Sequence, residues 1–193
     1  MQIVNNGLGV GLTGTTNQQH PELAGQVLRD ESREFVFTDP VSGQQVASAT
    51  VQDRVVRSNM GGRLHFYFRV REFHRSMPDL MLTVVARGPF VTPPLDVDFR
   101  LDGLGDVGPL SAMWAPSSTE LLFSFLPPSP ITPEKSSRFV FVQSNATEFA
   151  DTGAISLGLS TPAMALGVVS SIVHGFAPIP IGGMVPPMGP AGG

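Results

Sequence analysis

The sequence predicts an all-β chain: an antiparallel β-sandwich, jelly-roll or immunoglobulin-like, with uncharged N- and C-terminal arms. Three observations predict it. Apolar residues recur at period two in segment after segment. Turn formers such as Asp39-Pro40, Gly61-Gly62, Pro93-Pro94 and Pro127-Pro128 separate those segments at spacings of about 8–15 residues. No stretch shows a helical period, which argues against an α/β fold.

Taken in order, residues 1–21 form a Gly/Asn/Thr-rich arm in which Leu8, Val10 and Leu12 alternate as in a strand. The segment from Pro21 to Gly25 reads as the turn into the body, residues 22–176, a single sandwich domain. Strands are expected near 34–38, 46–51, 63–71, 80–86, 95–102, 120–126 and 138–142. In 63–71, Leu64, Phe66, Phe68 and Val70 face a core, and Arg63, His65, Tyr67, Arg69 and Arg71 face water. In 95–102, Leu95, Val97, Phe99 and Leu101 point inward, and Asp96, Asp98, Arg100 and Asp102 point outward. The run Phe139 to Val142 is apolar on both faces, as in a covered central strand. Ile155, Leu157 and Leu159 alternate once more, followed by Val168, Val169, Ile172 and Val173. Residues 177–193 are Pro/Gly-rich and read as a tail, because proline lacks the amide a ladder needs. The total is about nine to twelve strands.

The chain has 193 residues, enough for one self-sufficient core. Charged residues are only 15%, against a usual share of about 25%. All 28 formal charges (12 basic, 16 acidic) lie between Glu22 and Asp151. Two long neutral arms flanking a charged middle suggest that the arms pack against something, since charge keeps a free chain solvated. The net charge of −4 argues against nucleic-acid binding. The run Arg54, Arg57, Arg63, Arg69, Arg71 and Arg75 reads as one charged sandwich face. Basic residues comprise 11 Arg and one Lys, through codon usage or through Arg–carboxylate bridges between strands. With no cysteine, disulfides, thiolate catalysis and Cys-ligated zinc are excluded. The first residues show no signal peptide. The best apolar stretch, 163–173, falls well short of the roughly 20 residues a membrane helix needs.

No residue pattern supports catalysis or a cofactor, so the chain is read as a non-enzyme. Asp96, Asp98, Asp102 and Asp106 are the one calcium candidate, because clustered carboxylates suit that ion; Arg100 interrupts the spacing, and strand and turn decoration is the simpler reading. His20, His65, His74 and His174 form no metal-ligand spacing. There is no Gly-x-Ser-x-Gly elbow. Gly7 to Gly11 lacks the basic residue and helix of a phosphate loop. A single Trp (Trp114) and a single Tyr (Tyr67) leave little for a sugar-stacking platform.

Two stretches carry a resemblance: Gln52-Asp53-Arg54-Val55-Val56-Arg57 leading into Gly62-Arg63-Leu64-His65-Phe66-Tyr67-Phe68-Arg69, and Ser136-Ser137-Arg138-Phe139-Val140-Phe141-Val142-Gln143-Ser144-Asn145-Ala146-Thr147-Glu148-Phe149. Over residues 25–160 the chain resembles exported bacterial β-sandwich proteins, including PEP-CTERM-type surface proteins. The resemblance implies an extracellular or cell-surface location. Its sorting anchor is not expected here, because the Pro-Glu-Pro signal, anchoring helix and basic terminus of that group are absent.

The expected function is structural: a self-assembling surface subunit that builds a filament or matrix with copies of itself. A neutral arm would pair with the sheet edge of the next copy, through Leu8, Val10 and Leu12 or through Ile155, Leu157, Leu159, Val168 and Val169. A monomeric glycan- or protein-binding module and a viral or other shell subunit are the alternatives.

Overall fold

A computed structural model describes residues 2–4, 9–90, 95–115, 119–161 and 169–179. The strands are β1 (Gln2–Val4), β2 (Val10–Gly11), β3 (Gly25–Thr38), β4 (Gln45–Ser58), β5 (Leu64–Arg75), β6 (Met81–Gly88), β7 (Leu95–Phe99), β8 (Ser111–Trp114), β9 (Leu121–Ser124), β10 (Val140–Gln143), β11 (Phe149–Ser160) and β12 (Val169–Pro178). One 3-10 turn, Pro21–Leu23, precedes β3, and no α-helix occurs among the described residues.

Two antiparallel six-stranded sheets face each other, as the period-two pattern predicts. The first has the order β1-β7-β10-β5-β4-β3; the second has β12-β11-β6-β9-β8-β2. β3, β4 and β5 form a continuous meander, and β8–β9 and β11–β12 are hairpins. The other links from β5 onward change sheets. Leu64, Phe66, Phe68 and Val70 are fully buried between the sheets. Phe68 meets Phe123 of the opposite sheet edge-on, with ring centroids 5.1 Å apart. β10 lies between β7 and β5, and Val140, Phe141 and Val142 are buried there on both faces, as expected of a covered strand.

The outer face of the first sheet departs from the expected wet face. His65, Tyr67 and Asp98 are all buried. Residues 12–24 cause this by crossing over that face. Thr15 bridges to Arg100, and the Gly14 amide donates to Asp98 Oδ1 at 2.8 Å. Leu23 then caps a second, smaller core of Val56, Tyr67, Phe139 and Phe141. The Tyr67 hydroxyl donates to the Leu23 carbonyl at 3.2 Å. Leu101, expected inside, lies beyond the end of β7 and is exposed. At the other terminus, Ala177 and Pro178 extend β12 two residues into the segment expected to be tail.

A buried ion cluster ties the sheets together. Asp53 on β4 and Arg87 on β6 are both wholly inaccessible, with Nη2 and Oδ1 2.6 Å apart. Arg33 on β3 donates from Nε to Asp53 Oδ2 at 3.2 Å and reaches Asp151 on β11 at 2.8 Å. Asp53 also accepts the Phe176 amide, and Arg87 donates to the Phe176 and Tyr67 carbonyls. The Arg33 guanidinium sits 4.8 Å from the centre of the Phe176 ring. These are inter-strand Arg–carboxylate bridges. Burial pulls the Arg87 pKa down, and the Asp53 charge opposes that.

Candidate functional site

Strand register assembles a polar row on the outer face of the first sheet. Asp96 on β7 lies opposite Gln143 on β10, which lies opposite His65 on β5. Adjacent strands are about 4.8 Å apart, so the row spans roughly 10 Å. Glu22, Met60, Gly61, Arg63, Ser144 and Asn145 join it to line an open cleft of about 500 Å³. Its placement follows from the 3-10 turn, which brings Glu22 over the sheet, and from the Asn59–Gly62 turn, which carries Arg63. His20 Nδ1 lies 3.0 Å from Glu22.

Two side chains that line this cleft each carry a buried polar atom with no hydrogen bond within the protein: His65 Nδ1 and Asp96 Oδ1. His65 is only 3% exposed. Leaving such an atom unpaired costs about 1–3 kcal/mol. Burial pushes the His65 pKa down from 6.5 to about 4, against the attraction of Glu22. Burial pushes the Asp96 carboxyl up. His65 is therefore neutral at pH 7, able to donate from one ring nitrogen and accept at the other.

An acid sensitivity follows. Below pH 6.5 the unfolded chain protonates its histidine before the folded chain does, so stability falls as pH drops from 6.5 toward 4. The His65 displacement corresponds to about 3 kcal/mol at about 1.4 kcal/mol per pH unit. Asp96 works in the opposite direction over the carboxylate range, because its raised pKa favours proton uptake by the fold. Urea unfolding of the chain and of His65→Gln at pH 7 and pH 5 is expected to show a steeper loss in the unsubstituted protein. Equal losses would mean that His65 titrates as it does in water.

The four acids of the calcium candidate do not converge. Asp98 accepts the Gly14 and Phe99 amides. Asp102 pairs with Arg100 at 2.7 Å, which holds its carboxyl below the usual range, and it also accepts the Asn17 amide. Asp106 accepts from the Ser136 amide and hydroxyl. Asp96 faces the polar cleft. Among the described residues, no three His, Asp or Glu side chains are grouped to hold a metal. Much of the basic run is likewise engaged: Arg54 pairs with Asp30, Arg71 with Glu72, and Arg69 donates to Ser136 and Ser137.

The expected assembly residues fall in several places. Leu12 is buried in the chain's own core, and so are Ile155, Leu157 and Leu159, because β11 is an inner strand between β6 and β12. Their side chains thus pack inside the sandwich rather than toward a neighbour. Val10 on β2 is half-buried against the same core. Val169 pairs with Leu159 at the start of β12. Leu8 and Val168 lie outside the described residues. Sequence reasoning read the stretch from Ile155 to Val173 as an exchanged arm; what it did not show is that β12 is an edge strand of the sandwich, on which Ile172 is 69% exposed.

No family model, curated protein or solved structure matches this chain.

Proposed function

We propose that this chain is a structural subunit that self-assembles at an extracellular or cell-surface location, joined by strand addition at the outer edge of β12. The contrast between the two long edge strands carries this reading. β3 displays Arg29, Asp30, Glu31 and Glu34 and is interrupted by two register shifts. Charges and bulges of this kind keep an edge from pairing with another chain. β12, Val169–Pro178, has no Asp, Glu, Lys or Arg and pairs only with β11 among the described strands. Its end is closed at Phe176, where Asp53 and Arg87 take the backbone amide and carbonyl. The preceding stretch, with Ile172 exposed, is left as an acceptor edge.

The donor in this reading is the neutral N-terminal arm of a neighbouring copy. β1 and β2 are three and two residues long, the shortest strands described, so few ladder bonds are lost when they leave their own sheets. A head-to-tail contact between arm and edge does not close on itself, so it propagates a filament. The neutral arms and the likeness to exported sandwich proteins support the surface location.

Light scattering and negative-stain microscopy test the reading. Filaments are expected from the full chain, and monomers from Ile172→Lys and from a chain lacking residues 1–11. A compact monomer from the full chain at high concentration, or filaments that persist in Ile172→Lys, would overturn it.

A further inference from the structure

The polar cleft on the first sheet is separate from the β12 edge and serves no purpose in strand addition. We infer that it binds a neutral polyhydroxylated ligand, a short stretch of carbohydrate laid along the row Asp96–Gln143–His65. Three observations carry this. First, the cleft's volume of about 500 Å³ falls within the roughly 300–1,000 Å³ usual for ligand sites. Second, His65, buried to 97% of its surface, lines it and has Nδ1 unpaired, and Asp96, which also lines it, has Oδ1 unpaired. Buried polar atoms are ordinarily hydrogen-bonded, so two orphans in one cleft mark places where an outside group completes the network.

Third, the mixture of groups selects the ligand's chemistry. Glu22 and Asp96 repel an anion, while Arg63 on the rim repels a cation and can donate an N–H to a ligand hydroxyl. Hydroxyl groups donate and accept at once. One hydroxyl can donate to Asp96 Oδ1 and accept from a neighbouring amide, and another can exchange hydrogen bonds with the neutral His65 ring. The Asn145 amide offers both roles beside the row. Met60, exposed at the margin, provides apolar surface for a sugar's C–H face, a role more often given to an aromatic ring. The row's length of roughly 10 Å suits a ligand of more than one ring, bound across strands rather than end-on.

Isothermal titration of the full chain tests this with three groups of hexasaccharide at millimolar concentration. The neutral probes are maltohexaose, cellohexaose, xylohexaose and chitohexaose; the anionic probe is a galacturonate hexamer; the cationic probe is a glucosamine hexamer. At least one neutral hexamer is expected to bind, and Asp96→Asn and Arg63→Ala are each expected to weaken it about tenfold, the loss of one good hydrogen bond. Arg63 is exposed, so its variant keeps the fold, and matching thermal unfolding verifies this for both. Ile172→Lys is expected to bind as the unsubstituted chain does, which separates this inference from the assembly reading. No binding by any neutral hexamer, preferential binding of the charged hexamers, or neutral binding unchanged in both cleft variants would overturn it.

Discussion

Asp53→Ala is expected to lower the unfolding free energy by about 3–5 kcal/mol, because it leaves Arg87 charged and uncompensated in a fully buried site. Arg87 lies 2.6 Å from Asp53, and neither has any accessible surface. The other contacts of Arg87 are the backbone carbonyls of Tyr67 and Phe176 and the Phe66 ring, 5.7 Å away, none of which is a counter-charge. Arg33 and the Phe176 amide also lose a partner, so the damage reaches β3 and β12 as well as β4 and β6. For a chain of this size the loss corresponds to roughly 6–20 °C in Tm. The double variant Asp53→Leu/Arg87→Met is expected to recover part of that loss, because a hydrophobic pair of similar volume often matches a buried ion pair. Recovery stays incomplete, since the Phe176 amide is still unpaired, at about 1–3 kcal/mol. Urea midpoints of the three proteins measure this. A loss below about 1 kcal/mol in Asp53→Ala would mean that water enters the inter-sheet space and solvates Arg87.

The same cluster explains which parts of the fold were legible in the sequence. β5 was legible because Leu64, Phe66, Phe68 and Val70 alternate without a break. β4 was expected to end near residue 51 but runs to Ser58, because Asp53 interrupts the apolar alternation. Asp53 nonetheless faces inward, where Arg87 supplied from another sheet makes a carboxylate tolerable. β3 was expected only from residue 34 and begins at Gly25. Its first half is mostly exposed on an edge strand, so it leaves no hydrophobic period; pairing with β4 holds it. The polar cleft was not legible for a different reason. Asp96, Gln143 and His65 come from strands distant in sequence and meet only through β10, and no local pattern encodes that register. His65 and Asp96 were visible in the alternation as outward-facing polar positions, whereas Gln143 lies just past the run that reads as apolar on both faces. Their burial depends on residues 12–24 crossing the face, which a Gly/Thr-rich arm does not announce.

Phe68→Ala and Tyr67→Ala, adjacent residues on opposite faces of β5, are expected to destabilise by similar amounts, about 3–5 and about 3 kcal/mol. Alternation alone predicts a large effect for Phe68 and a small one for a solvent-facing Tyr67. Phe68 is fully buried and meets Phe123 across the sheets, so truncation opens a cavity where the two layers touch. Tyr67 is 4% exposed. Its ring lies against Phe139 and Phe141, at centroid distances of 6.4 and 5.7 Å. Burial pushes its phenol pKa up, which an ultraviolet titration detects. Tyr67→Phe keeps the ring and removes the hydroxyl's interaction with Arg100 and its hydrogen bond to the Leu23 carbonyl, so its cost is about 1–3 kcal/mol. That bond anchors the segment carrying Glu22 into the polar cleft. Tyr67→Phe is therefore also expected to speed amide exchange in residues 21–24 while leaving β5 protected. A cost below about 0.5 kcal/mol for Tyr67→Ala would mean that the N-terminal segment does not cover this face in solution. Such a result would uncover His65 as well, because the same crossing segment buries both.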